Sequence, residues 1–181
     1  MNKTDSSSPQ AVSTLKLQEA AHAVHHRIPQ LVAEGSLIFT FTKFHGFLKA
    51  GIPKDILDPL VRTLSLRPGQ VQVEVAGVLE DLAREVHIHE RTRAHVTCVG
   101  ENFGLPNPRD AYAFLAGRWT PMRLGENLDI PAGIEHGFTV DPGGCLYFLS
   151  VQSPPLISED GTEDYIARPY SGAKGRVNHV G

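Results

Sequence analysis

The chain has 181 residues, which suits one domain plus a terminal extension, since compact domains run to roughly 100–200 residues. Its 41% hydrophobic and 20% charged content is that of a soluble globular protein, and no stretch approaches the roughly 20 consecutive apolar residues that a bilayer span needs. A net charge of −3 with signs mixed along the chain, and aromatics that do not interleave with Lys or Arg, argue against a nucleic-acid partner.

The N-terminus shows no apolar run behind a basic start, so no secretion or import signal is read and a cytoplasmic location is expected. Residues 1–9 are polar and serine-rich and are expected to form a disordered lead. From Gln10 onward Leu17, Ala21, Val24, Ile28 and Leu31 recur at spacings of three and four, the apolar stripe of a helix. Pro29 predicts a kink or an end near Ile28, and at the latest before Gly35. His22, His25 and His26 mostly fall off the stripe and are assigned to a solvated face. Ser36 to Leu48 is rich in Ile, Phe and Thr and reads as one or two strands broken at Gly46, with His45 in a turn or core role. Pro53 to Leu64 reads as helical, limited to short pieces by Pro59.

Residues 10–66 therefore form a helical and strand annex. After Arg67-Pro68-Gly69 the pattern turns to short strands separated by Gly, Pro and Asn, beginning with Val71, Val73 and Val75 alternating with Gln72 and Glu74. An all-β sandwich or barrel over residues 67–157 follows, with 158–181 as a C-terminal loop or arm. The two cysteines, Cys98 and Cys145, sit in separate apolar runs and are read as buried free thiols.

Two segments carry chemistry. In Glu85-Val86-His87-Ile88-His89-Glu90 the histidines stand two apart, so on a strand both imidazoles point to one face and can chelate one ion. In Gly125-Glu-Asn-Leu-Asp-Ile-Pro131-Ala-Gly133-Ile-Glu-His136 a turn glycine, a short strand and a Pro-Ala-Gly turn aim His136 back from a new strand. Glu85, Glu90 and Glu135 are read as exposed carboxylates turned from the neighbouring histidine's face. Tyr112, Trp119 and Tyr147 are read as core aromatics, and Arg84, Arg118 and Arg123 as solvated.

These segments resemble the two motifs of the cupin superfamily. Gly125, Pro131, Gly133 and His136 match the second motif without a gap; His87 and His89 match the first, but Arg93 and Ala94 stand where a glutamate is expected. His95 comes one position later and is taken as its replacement, giving a four-histidine site, with Asp110 as a rival in another register. Val140 departs from the asparagine often found in the second motif.

The resemblance covers about residues 68 to 155. It implies a mainly β, cupin-type double-stranded β-helix (jelly-roll) barrel, with one divalent transition metal on His87, His89, His95 and His136. Imidazole donors suit Fe(II), Mn, Ni, Zn, Co or Cu, with Fe(II) favoured. The implied function is a metal-dependent small-molecule enzyme of the dioxygenase type, with a metal-dependent isomerase or lyase, or a ligand-binding cupin without catalysis, as alternatives. A homodimer is expected, because the apolar stripe of the first helix must be buried on the barrel or against a second copy.

Overall fold

A computed structural model describes residues 12–170. The lead expected over residues 1–9 and the last stretch of the C-terminal arm lie outside the described residues. In chain order the elements are α1 (Thr14–Ala33), β1 (Thr42–Phe44), β2 (Phe47–Gly51), α2 (Lys54–Thr63), β3 (Gln72–Val78), β4 (Glu85–Ile88) and β5 (Arg93–Val99). A 3-10 turn (Glu101–Phe103) follows, then β6 (Arg109–Leu115), β7 (Arg118–Pro121), β8 (Asn127–Ile130), β9 (His136–Ser153) and β10 (Ile166–Pro169).

Helix α1 starts where Ser13 Oγ accepts the Lys16 N–H at 3.2 Å. It runs past Pro29 to Ala33, so the expected break near Ile28 does not occur, although the helix does stop before Gly35. Proline removes one intrahelical bond, but fully buried Ile28 and buried Leu31 on either side of it hold the helix against the first sheet. Helix α2 likewise passes through Pro59 as one ten-residue piece, with Asp55 in its first turn and Arg62 in its last, as the helix dipole favours. Between them β1 and β2 form a hairpin closed by His45 and Gly46, both with positive φ (45° and 84°), which is the tight turn whose twist suits paired strands.

The strands are antiparallel and fall into two sheets that share β9. The first runs β1-β2-β3-β9-β5-β8 and uses the second half of β9, from Leu146 to Ser153. The second runs β10-β4-β9-β6-β7 and uses the first half, from His136 to Val140, with one further pair across the bulge at Arg109↔Cys145. The turn of β9 from one sheet to the other lies at Asp141–Gly144, where a Cβ on Gly144 would stand 2.5 Å from the Arg109 carbonyl oxygen.

A closed barrel was expected, and the ladders do not close. Among the described residues, strands β1, β7, β8 and β10 each pair on one side only. These strands are three or four residues long, and the chain passes from β7 to β8 through a loop bonded to β6 at Met122 and to β5 at Gly125, without strand pairing across the gap.

Two cores result. Between the sheets pack Ala76, Val78, Val96, Ala113, Phe138, Leu146 and Phe148. The outer face of the first sheet carries Val73, Val75, Tyr147, Leu149 and Val151 under α1 and α2. The stripe of α1 is thus covered within its own chain. Both cysteines are free and buried, and burial pushes the Cys98 thiol up to about 12, as a packing thiol requires. No described helix is long and apolar enough to cross a membrane.

If α1 is part of the fold, Ile28→Ala lowers stability by about 2–5 kcal/mol, through lost burial and the cavity left behind, while Leu15→Ala at an exposed position changes it by about 0.5 kcal/mol or less. Urea unfolding of the two variants measures both values; equal, small shifts would mean that α1 is not docked as described.

Candidate active site between the sheets

Strand β4 delivers His87, and His89 follows directly after its end. Strand β9 begins with His136, paired in register with His87. The two motifs are tied by backbone: the N–H of Gly133, a glycine with φ of +80°, donates to the His89 carbonyl at 2.6 Å. The three side chains are 6%, 7% and 3% exposed and line one interior cavity of about 40 Å³. The His89 and His136 ring centres lie 4.6 Å apart and those of His87 and His136 6.3 Å.

All three imidazoles are held neutral. Burial is the main cause, lowering His87 and taking His89 to about 3 and His136 to about 4. For His89 the neighbouring His136 adds to the effect. The Ile134 carbonyl accepts from His136 Nδ1 at 3.0 Å, which places that ring's proton on Nδ1 and leaves the Nε2 lone pair free of it.

His95 does not join them. On β5 the residues that face the cavity are Ala94 and Val96, and strand alternation turns His95 to the outer face beside α1. There His95 Nδ1 meets Asp129 Oδ1 at 2.7 Å and Nε2 lies 3.3 Å from Asn127 Oδ1. The rival Asp110 stands at a bulge of β6 with φ of 48°, lining a separate, open surface cavity with Tyr112 and Arg123. Neither supplies a fourth donor to the three histidines.

The expectation for Glu85 is corrected. Two residues before His87 on the same strand, it shares that histidine's face, and Oε1 lies 3.0 Å from His87 Nε2. Glu90 is exposed, and Glu135 faces Arg168 at 3.9 Å. Tyr112, Trp119 and Tyr147 stay out of the histidine cavity. His45 occupies its turn and stacks on Tyr165 with ring centres 5.2 Å apart.

Several site residues have no motif. The C-terminal arm brings Tyr165 over the mouth, its ring centre 4.7 Å from that of His87 and its hydroxyl donating to Glu85 Oε1 at 3.3 Å. The arm is fixed by Asp164, whose carboxylate accepts the backbone N–H groups of Glu90, Arg91 and Thr92 at 2.8, 2.7 and 2.8 Å, just beyond His89. The opposite wall, on the first sheet, carries Lys49, Glu74, Ser150 and Gln152. Lys49 Nζ lies 3.2 Å from Glu74 Oε1.

The donor type is one a transition ion accepts: three neutral imidazoles line one small cavity, and His89 Nδ1 is a buried atom without a hydrogen-bond partner among the described residues. As the rings stand, no group of three or more His, Cys, Asp or Glu among the described residues is arranged around a single point. Ligation through Nε2 of His87 requires that Glu85 release it.

No family model and no curated protein matches the chain. Among solved structures it is similar to Pac13 of Streptomyces, described as a nucleoside dehydratase, with a TM-score of 0.49 and 11% identity over 74% of this chain and 92% of that one. It is also similar to KdgF of Halomonas, with a TM-score of 0.47 and 12% identity over 70% and 92% of the two chains. A third likeness is to the Cnp3 cupin domain of Schizosaccharomyces pombe, with a TM-score of 0.45 and 7% identity over 66% and 70%.

Metal-free protein should lose stability as pH falls from about 6.5 toward 4. Over that range unfolded histidines, with an ordinary pKa near 6.5, take up protons that the folded His89 and His136 refuse until about 3 and about 4. The unfolded state then binds more protons, and each such histidine contributes a slope of up to about 1.4 kcal/mol per pH unit. Urea unfolding at pH 7, 6 and 5, beside His89→Gln, checks this; an unchanged slope in the variant would show that His89 is not held neutral.

Proposed function

We propose that the protein is a small-molecule enzyme of the cupin type whose reaction takes place at His87, His89 and His136. The observation that carries this is the register pairing of His87 with His136, which sets three buried, neutral imidazoles from two strands around one interior cavity. The cupin motifs that these residues match support a double-stranded β-helix architecture around the same cavity.

In this reading His87, His89 and His136 hold one divalent transition ion, with Fe(II) favoured. When bound, such an ion supplies activation of O₂ beside a chelated substrate if it is redox-active, or Lewis acidity if it is not. With His95 and Asp110 elsewhere, three protein donors leave positions open for substrate, which favours a catalytic over a closed structural site. The chain's own part is positional: strand pairing fixes His87 against His136, the Ile134 carbonyl fixes the His136 tautomer, and the apolar wall of Phe138, Phe148 and Ile130 excludes water. Dioxygenation is the leading chemistry.

Isomerase or lyase chemistry is the second reading, favoured by one contact. Tyr165 Oη, Glu85 Oε1 and His87 Nε2 form a hydrogen-bonded chain from the mouth to the histidines, and Glu85 is about half exposed, so a proton can pass between substrate and solvent along it.

Elemental analysis of untagged protein purified without chelator decides the first point. One equivalent of a transition metal is expected, with its loss in His136→Ala; absence of metal after anaerobic reconstitution with Fe(II), Mn(II), Ni(II) and Zn(II) would overturn the metal reading. Oxygen uptake against a panel of small acids then separates the two chemistries. Glu85→Gln should lower turnover at least about tenfold in a proton-transfer enzyme.

A further inference from the structure

Helices α1 and α2 cover the outer face of the first sheet, and among the described residues no helix covers that of the second. Because Ala111, Ala113, Phe138 and Val140 point between the sheets, strand alternation turns Tyr112, Phe114 and Thr139 outward. Trp119 and Tyr170 lie over Phe114, with ring centres 5.1 and 4.9 Å from its own. One row further, Tyr112 borders the open cavity of about 340 Å³ that Asp110, Met122, Arg123 and Leu124 also line. Its hydroxyl donates to Asp141 Oδ2 at 3.2 Å. In the same row the Thr139 hydroxyl donates to Asp81 Oδ1 at 3.0 Å. The face is thus an aromatic row that leads into a partly apolar hollow, where three carboxylates stand against the guanidinium of Arg123.

The direction of the chain bears on what fills this hollow. Strand β10 is antiparallel to β4, β4 to β9 and β9 to β6, so advancing along β10 is moving from the level of Leu115 toward that of Asp110. Tyr170, just beyond β10, has already crossed onto Phe114 and Trp119. From Phe114 to Asp110 is four residues of strand, about 13 Å, and the four residues after Tyr170 span as much when extended, which brings Lys174 level with Asp110. Residues 171–181 lie outside the described residues; they include Lys174 and Arg176 and no Asp or Glu. Ser171, Gly172 and Ala173 are small enough to pass over an aromatic row. Trp119 Nε1 in that row is a buried donor without a partner among the described residues, and a chain leaving Tyr170 carries backbone carbonyls past it.

We propose that residues 171–181 dock on the outer face of the second sheet, with Lys174 against Asp110 and Asp141 at the cavity. Charge favours the contact, since a basic segment meets an acidic face. The tether favours this occupant over a separate basic peptide: a few residues of chain hold the segment at an effective concentration of roughly millimolar beside the cavity.

Trp119 is the chain's single tryptophan and reports on this face. In the full-length protein, Lys174→Glu combined with Arg176→Glu should raise acrylamide quenching of Trp119 at least about twofold, because each reversed charge is repelled where the original was attracted. Far-ultraviolet circular dichroism checks that the variant keeps its fold. Carbodiimide coupling joins a lysine amine to a carboxylate in contact with it, and peptide mass spectrometry locates the link. In the parent it should join Lys174 to Asp110 or Asp141 within one copy, as it joins Lys43 to Glu80, an exposed pair 3.6 Å apart. Unchanged quenching in a folded variant overturns the proposal. So does coupling of Lys174 to neither aspartate, and so does coupling found only between two copies, which would make a second chain the occupant. If the variant does not fold, the coupling of the parent decides alone.

Discussion

An 18-residue strand cannot stay within one small twisted sheet, and β9 meets that constraint by turning at Asp141–Gly144 and serving two sheets in succession. Its alternation survives the turn. His136, Phe138 and Val140 face the interior on one sheet, and Leu146, Phe148, Ser150 and Gln152 face it on the other. One strand therefore sets the histidine that opens the site and the glutamine of its far wall on facing surfaces. The positions of His87 and Glu74 follow, since β4 and β3 take their registers from β9 at His87↔His136 and Glu74↔Ser150.

How much of this is legible in the sequence depends on whether a residue's facing is fixed by its near neighbours. His87 and His89 are two apart on extended chain, and the Pro-Ala-Gly turn leads into His136, so local geometry suffices and the three are found together. His95 fails because the turn from Glu90 to Thr92 resets the phase between β4 and β5, and the new phase puts Ala94 and Val96 inside. Nothing within β5 reveals this. The fold is legible as mainly β with helices at the front, but Pro29 and Pro59 give false stops, because burial of the residues around each proline is a tertiary effect. The open edges of the sheets depend on pairings far apart in sequence and leave no local mark.

The polar wall was hidden for a different reason. Alternation such as that of Val73 and Val75 with Glu74 is the general pattern of a strand with one face in the core and the other in solvent. The helices reverse that assignment. Because α1 and α2 cover the outer face, the valines pack under them, and Glu74 turns to the interior with 8% exposure. A sheet buried on both sides makes a polar residue in an alternating strand an interior one, and such a residue calls for partners. Lys49 and Gln152 are those partners, from strands adjacent on either side of β3.

The two cores explain how so polar an interior is tolerated. Between the sheets one end is apolar, around Phe138 and Phe148, while the other holds three histidines, an ion pair and two buried polar atoms without hydrogen-bond partners among the described residues, His89 Nδ1 and Gln152 Oε1. Each such atom opposes folding by about 1–3 kcal/mol, and burying neutral histidines opposes it further below pH 6.5. The layer of α1 and α2 on the first sheet adds a second apolar core, with Leu17, Val24, Ile28 and Val61 each 2% exposed or less. At roughly 1.5–3 kcal/mol for each fully buried large aliphatic side chain, these four contribute about as much as, or more than, the two unpartnered atoms cost. Helices α1 and α2 thus act on the site without lining it: they add stability to the sheet whose strands β3 and β9 keep polar groups buried around a small cavity, while Phe47 and Lys49 of β2 line that cavity directly.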